Sequence, residues 1–415
     1  MRILLLTLLL SVIQLTVIQA QEYTVLIKGG HLIDPKNNIS RPMDVGIYEG
    51  KIKKIAANID PSTARQVVDA KGMYVTPGLI DIHGHVFAGT QPNHYLSDGF
   101  TALPPDGFTF RVGVTTIVDC GGAGWSNFDV FKRNIIFNSQ TRVLSFLNIV
   151  GQGMRGGQWE QDTTDMDPVM AAAIAVKNRN DIVGFKVAHF QGRDWKPVDN
   201  AVEAGKIAKM PVIVDFGGAQ PALSLEELFL KHLRPGDIFT HTYTLLPGDV
   251  RETIVDEAAG KVKPFVWEAR KRGIVFDVGY GGASFNYTQA IPAMKEGFVP
   301  TTISTDLHTG SMNGSMKDML SIMSKFYNMG MKLEDVVKAS TWTPALTIQR
   351  DILGHLSEGA IADVAVFSMR KGDFGFYDKT GYKVKGKEKL ECEMTIKGGR
   401  IVYDLNGIAN PIYSK

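Results

Sequence analysis

The chain has 415 residues, 44% of them hydrophobic and 21% charged, an ordinary globular composition and enough length for one large domain with a smaller one beside it. Its formal charge of +2 gives neither the strongly basic character of a nucleic-acid binder nor a reason to expect an anionic membrane surface as partner. The 43 glycines suit a fold in which many strands end in tight functional loops.

Residues 1–20 read as a leader. Arg2 supplies a positive start, residues 3–17 are apolar apart from Thr7, Ser11, Gln14 and Thr16, and the segment ends at Ala20. This predicts a secretory signal peptide cut after Ala20, hence a secreted or periplasmic protein. A membrane anchor is the alternative, but the run is short for a spanning helix and no cysteine follows to take a lipid, so the mature chain is expected without a span. Cys120 and Cys392 stand far apart on strand-like runs and predict no disulfide framework.

Residues 21–75 alternate short apolar runs with turn signals: Thr24 to Lys28 before Gly29-Gly30, Val45 to Tyr48 before Glu49-Gly50, and Val67-Val68 before Lys71-Gly72. Residues 355–415 repeat this character, with runs at 362–367, 393–396 and 400–403. Two β-rich ends around a middle predict one small β-sandwich built from both termini. Between them, over 76–354, strand-like runs fall at 79–85, 115–120, 143–150, 182–187, 212–216, 238–241, 274–278 and 302–305. Helical patterns separate several of these, for example at 170–177, 223–232 and 264–272, and two more follow the last run at 317–328 and 333–340. Eight alternating β and α segments argue for a (β/α)8 TIM barrel, with an open doubly wound sheet as the alternative. In such barrels the active site lies at the C-terminal ends of the strands, which is where polar residues stand here.

The first run, Leu79-Ile80-Asp81-Ile82-His83-Gly84-His85, carries two imidazoles two residues apart, on one side of a strand and able to share a metal ion. The fourth run holds Lys186 inside an apolar stretch, where an ammonium would lack solvent and tend to lose its proton unless it snorkels to water. His241 closes the sixth run, and Asp306 ends the eighth within Ser304-Thr305-Asp306-Leu307-His308. A strand-end aspartate can act as a general base, or it can cap the next helix.

The string from Val75 to His85, VTPGLIDIHGH, resembles the first barrel strand of the amidohydrolase superfamily of metal-dependent hydrolases. Leu233 to His241, Phe276 to Gly279 and Ser304 to His308 narrow the resemblance to its deacetylase-type, dihydroorotase-like branch. The resemblance implies His83, His85, His241 and Asp306 as metal ligands, a carboxylated Lys186 bridging two divalent ions, and Asp306 as the group that moves the proton of the attacking water. It also implies the barrel with its flanking sandwich, a small-molecule substrate with an amide or ester of an acyl group, and zinc as the usual metal.

Two positions depart from the family. Its strand-five histidine is replaced by Asp215, which leaves three readings: an oxygen ligand that shifts preference toward manganese or iron, a site with one metal, or a site that has lost hydrolysis. On strand seven Tyr280 stands where the branch often carries histidine; it is expected to face substrate or simply to pack. Arg155, after the third run, is a candidate clamp for a substrate carboxylate, or a solvated loop arginine. His308 and His189 are placed near the site, facing substrate or supporting ligands; His31, His94, His232 and His355 are expected at the surface or in structural roles. Trp125, Trp159 and Trp195 are expected in loops after strands, lining a pocket or packing together. The rival readings are a barrel that only binds a small molecule and a one-metal isomerase or lyase. A homo-oligomer is compatible with all three.

Overall fold

The computed structural model describes residues 21–411 apart from Phe216 and Asp249. The expected leader, 1–20, lies outside the described residues, as does Phe216, the expected last residue of the fifth strand. No helix among the described residues is long and apolar enough to cross a membrane.

The centre is a curled parallel sheet of seven strands in sequence order: Leu79–Gly84, Val114–Gly124, Arg142–Asn148, Ile182–Val187, Val212–Val214, Ile238–Phe239 and Val275–Phe276. These are the first to seventh barrel strands below. The expected eighth run forms no strand. It crosses the open seam as single parallel bridges, Asp277 to Thr302 on one side and Gly84 to Leu307 on the other. Backbone bonds from Val278 to Thr302, Tyr280 to Ser304, His85 to Leu307 and Asp306 to His83 lace that seam, which gives a TIM-barrel-like ring. The run is too interrupted for a ladder because Asp306 holds a left-handed backbone (φ 53°) that turns the chain inward.

The strands are apolar on both faces because helices cover the outside while Ile80, Ile82, Val118, Leu144, Phe146 and Ile213 fill the lumen. Ala345, Ile348 and Leu353, from helix Trp342–Thr347 and the turn after it, join this inner cluster. The covering helices fall where their apolar periodicity predicts, at Pro168–Lys177, Pro264–Arg272, Met319–Asn328 and Leu333–Lys338. The pattern expected at 223–232 becomes a short helix, Leu225–Glu227, continued by a π-type turn, Leu228–His232.

Both ends of the chain meet in two further sheets. One has four strands in the order Lys51–Ala56, Asp44–Tyr48, Val25–Lys28, Val67–Asp69. The other has six, in the order Arg400–Asp404, Lys383–Lys397, Val364–Tyr377, Tyr74–Pro77, His31–Asp34, Ile39–Pro42. Val25, Ile47 and Val68 of the first share one apolar cluster with Leu32, Val364 and Met394 of the second. The expected short strands at 362–367 and 393–396 are the inner halves of a long hairpin, 14 and 15 residues per arm. Its outer half is lysine-rich and exposed, so its alternation is hidden in the sequence, yet it reaches back to helix Met319–Asn328. Tyr74–Pro77 runs in this six-stranded sheet and leads directly into the first barrel strand, placing His83 at the ring's rim. A two-stranded ribbon, Val255–Asp256 with Lys261–Val262, completes the sheets.

Candidate active site

Strict alternation from Ile80 and Ile82 would send His83 to the outer face of the ring. The pairing of the first and second strands shifts register between Asp81 and Gly84, and this irregularity re-aims the chain so that His83 and His85 both turn toward the lumen mouth. Their two rings lie 5.4 Å apart, edge to face. Asp306 meets both: its Oδ1 is 2.8 Å from His85 Nε2 and 3.6 Å from His83 Nε2. One donor atom from each of the three falls within a common span of 4.8 Å, and all three residues are buried.

Lys186 reaches the same point from the fourth strand, its Nζ 3.5 Å from His83 Nε2. Its stem passes over Gly121, where a Cβ would meet Lys186 Cγ at 2.6 Å, so only glycine leaves the passage open. Gly281 plays the same part for Asp306, whose Oδ2 lies 2.3 Å from where a Cβ would stand. His241, after the sixth strand, brings its ring to 5.0 Å from that of His83. Asp215, after the fifth strand, lies beside it, Oδ2 to His241 Nε2 at 3.3 Å. The six predicted ligands therefore converge.

Hydrogen bonds fix which ring nitrogen faces inward. Thr240 gives its only proton to Asp277 Oδ2 at 2.8 Å and so accepts from His83 Nδ1 at 2.9 Å. His241 Nδ1 donates to the Gly279 carbonyl at 2.5 Å. Both rings thus turn Nε2 into the site. His85 Nδ1 is buried without a hydrogen-bond partner. His308 accepts from Gly310 N through Nδ1, which leaves an Nε2 proton 4.0 Å from Asp306 Oδ2.

The electrostatics follow from burial and proximity. Burial and the Lys186 ammonium push His83 down to about 3. Burial opposes ionisation of Asp306, but His83 and His85 outweigh it and hold the carboxyl far below the usual range. Asp215 is treated likewise, with His241, Lys186 and His189 outweighing burial. The expectation for Lys186 is reversed: burial does lower its pKa, but neighbouring Cys120, Asp215 and Asp306 raise it above the ordinary value, so the amine alone keeps its proton.

A cavity of about 920 Å³, lined by His94, Tyr95, Arg155, Trp159, Glu160 and His189, adjoins this cluster through His189, which stands 3.5 Å from Asp215. Arg155 faces it, its guanidinium 4.1 Å above the Trp159 ring and its Nε buried without a partner. Trp159 and His94 therefore line the cavity, and His94 also bonds the Ser97 carbonyl through Nδ1 at 3.1 Å, within the surface or structural role expected for it. Trp125 donates to the Asp165 carbonyl, and Trp195 stacks on His232. Tyr280, expected to face substrate, is buried away from the cavity: it stacks on Phe285, and its hydroxyl lies among Lys325 and the Tyr377 carbonyl.

Two residues of the site gave no signal in the sequence. Arg251 is buried, its Nη1 3.2 Å from Asp215 Oδ1 and its Nη2 2.9 Å from the Thr240 carbonyl. Glu160 is buried against His189 Nδ1 at 3.2 Å. Arg251 comes from an irregular loop and Glu160 from a single 3-10 turn, Gly157–Gln161, both too short or irregular for a periodicity to announce an inward side chain.

A model of the Amidohydrolase family matches residues 283–402. A deacetylase of Agrobacterium fabrum is 31% identical over 367 residues, 85% of each chain. The chain belongs to the amidohydrolase family. A deacetylase of Enterococcus faecalis is similar over 92% of this amidohydrolase and all of its own length, at 29% identity. Among solved structures, an adenine deaminase superposes with a TM-score of 0.82 at 28% identity, covering 92% of this chain and 100% of its own. A dihydroorotase superposes with a TM-score of 0.78 at 28% identity, covering 91% and 98%. The protein is accordingly a hydrolase that acts on carbon–nitrogen bonds, in the branch of deacetylase and dihydroorotase relatives.

Proposed function

We propose that this amidohydrolase is a metal-dependent deacylase, one that removes an acetyl or similar small acyl group from an amide or ester of a small molecule. The observation that carries this reading is the convergence of His83, His85 and Asp306 within 4.8 Å at the mouth of the ring. These residues suit a divalent cation: the group is buried, anionic through Asp306, and His83 has its Nδ1 engaged so that Nε2 points inward. His83, His85, Asp306 and Lys186 would hold the first ion, zinc as the family expectation, with manganese or iron as alternatives. When bound, such an ion supplies Lewis acidity, polarising a carbonyl and making water more acidic.

The chain's own residues do the rest. Asp306 accepts a proton from the attacking water through Oδ2, on the side facing His308, and delivers it to the nitrogen or oxygen that leaves. The water oxygen ends on the acyl carbon, so the products are a carboxylic acid and an amine or alcohol. His308, its Nε2 4.0 Å from Asp306 Oδ2, turns a positive edge toward the carboxylate and favours its charged form. With the charges of Asp306 and Asp215 neutralised, burial is the dominant influence on Lys186, and burial favours the neutral amine that takes up carbon dioxide as a carbamate. Arg155 binds a substrate carboxylate, its guanidinium held flat by Trp159.

We also place the sandwich in 21–75 with 355–415, the barrel in 76–354, and export of the mature chain by the leader at 1–20. The decisive experiment is acetate release from a panel of N- and O-acetylated carboxylates, with Asp306→Asn alongside. Turnover that vanishes in the variant while metal stays bound supports the reading. Full activity in Asp306→Asn sinks the assigned role, and no acid released from any acylated compound sinks the deacylase reading.

A further inference from the structure

Behind the end of the seventh strand lies a buried polar cluster that the proposed chemistry does not use. Lys325, from helix Met319–Asn328, is buried, and its three ammonium protons all have acceptors: the Tyr280 hydroxyl at 2.5 Å, the Ser315 carbonyl at 2.5 Å and the Tyr377 carbonyl at 3.0 Å. The Tyr280 hydroxyl gives its own proton to the Tyr377 carbonyl at 3.2 Å, and its ring stacks on Phe285 at 4.4 Å. Tyr377 ends the first arm of the long hairpin. The next residue, Asp378, is buried and accepts from the Tyr287 backbone N–H at 2.9 Å. Helix, hairpin and the segment after the seventh strand thus meet on one hydroxyl.

That segment touches two residues of the site. Within Gly279-Tyr280-Gly281-Gly282, Tyr280 is the one residue with a side chain beyond hydrogen. Gly279 and Gly281 on either side are left-handed, φ 47° and 59°, where the backbone has most freedom. The Gly279 carbonyl receives the Nδ1 proton of His241 at 2.5 Å. Gly281 faces Asp306 Oδ2 closely enough to exclude a Cβ. The seventh strand has already ended at Phe276, and the segment is tied to the eighth run by Tyr280 N to the Ser304 carbonyl at 3.2 Å and Gly281 N to the Thr305 carbonyl at 2.9 Å. The Tyr280 side chain therefore fixes from behind what the backbone alone leaves loose.

We infer that Tyr280 and Lys325 are positioning residues: their contact anchors 279–281 and so holds the His241 ring and the Asp306 carboxylate in place. Through Tyr377 the anchor reaches the hairpin, which makes the sheet built from both ends of the chain a brace of the active site. The inference rests on the reading of Asp306 as the group that moves the proton of water.

The test compares Tyr280→Phe, Lys325→Met and the double variant in two ways. One is kcat and KM on the acetylated carboxylate that wild type turns over best. The other is hydrogen exchange, read by mass spectrometry, in the peptide covering 277–282, which needs no substrate. Removing either partner is expected to speed exchange in that peptide while the first barrel strand stays protected, and to lower kcat about 10–100-fold with KM little changed, as a small displacement of reacting groups does. The double variant is expected to fall no further than the worse single one, as for groups that act as a unit. Thermal melting gives the folded fraction, and Tyr280→Phe, which removes a single oxygen, decides if Lys325→Met does not fold. Wild-type exchange at 277–282 in Tyr280→Phe overturns the inference, as does a loss of activity that only follows the folded fraction, or losses that multiply in the double variant. Asp306→Asn tests the underlying reading separately: full activity there removes the proton role, while exchange at 277–282 still reports on the anchor.

Discussion

Asp277 offers the sharpest structural test, because the segments on either side of it, the end of the sixth strand and the eighth run, hang three hydroxyls on one buried carboxylate. Its oxygens accept from Thr240 at 2.8 Å, Thr302 at 2.7 Å and Ser304 at 2.7 Å, and the residue is fully buried. Hydrogen bonds to a charged acceptor contribute about 1.5–3 kcal/mol each, so Asp277→Ala would forfeit roughly 5–9 kcal/mol, comparable with the whole stability of a domain. That variant is expected not to fold. Asp277→Asn keeps the shape and one accepting oxygen but turns an NH2 toward a hydroxyl that must then reverse. It should lose about 1.5–3 kcal/mol, read as a lower urea midpoint at unchanged m-value. With the NH2 in the Oδ2 place, which Thr240 shares with Ser304, Thr240 reverses and no longer fixes the His83 tautomer, so metal affinity should fall about 10–100-fold. An Asp277→Asn protein with wild-type midpoint and wild-type metal affinity would refute both halves of the argument.

Arg155→Met should raise KM for a carboxylate-bearing substrate by about 10–150-fold, the loss of one charge-assisted pair, with a much smaller change for an uncharged analogue. Equal effects on both substrates would remove Arg155 from carboxylate binding. Lys325 is buried, and desolvation brings its pKa down to about 7 from 10.5. Because the unfolded chain holds this proton up to about pH 10.5 and the folded chain releases it near 7, stability should rise with pH across that window, by an amount on the order of 5 kcal/mol, and Lys325→Met should flatten the rise. Urea midpoints at pH 7 and 10 read this directly, and identical slopes for the two proteins would contradict it. Removing divalent ions with a chelator should abolish turnover and lower the melting temperature, since an ion present at about 1,000 times its dissociation constant adds about 4 kcal/mol. An unchanged melting curve would argue against any tightly held ion.

What was legible in the sequence is what strands and helices encode. His83, His85, Lys186, His241 and Asp306 close or interrupt apolar runs, and a polar residue at the end of a buried strand has few places to point but the mouth of a ring. The same rule left Tyr280 open between facing substrate and packing, and what lies behind the rim decides for packing: Lys325 and the Tyr377 carbonyl engage its hydroxyl from a helix and a hairpin distant in sequence. The eighth run was legible as apolar but not as broken, since the left-handed turn at Asp306 serves the site at the expense of the ladder. Arg251, Glu160 and the direction of His189 were hidden for one physical reason. Each sits in a loop or, for Glu160, a single 3-10 turn, where orientation is set by tertiary packing and no period of 2 or 3.6 constrains it. The departure at strand five follows the same division. The regular scaffold carries Asp215, and the residues that balance its charge, Arg251 on Oδ1 and His189 on Oδ2, come from loops, so a loss read on a strand has to be weighed against gains that only the folded loops display.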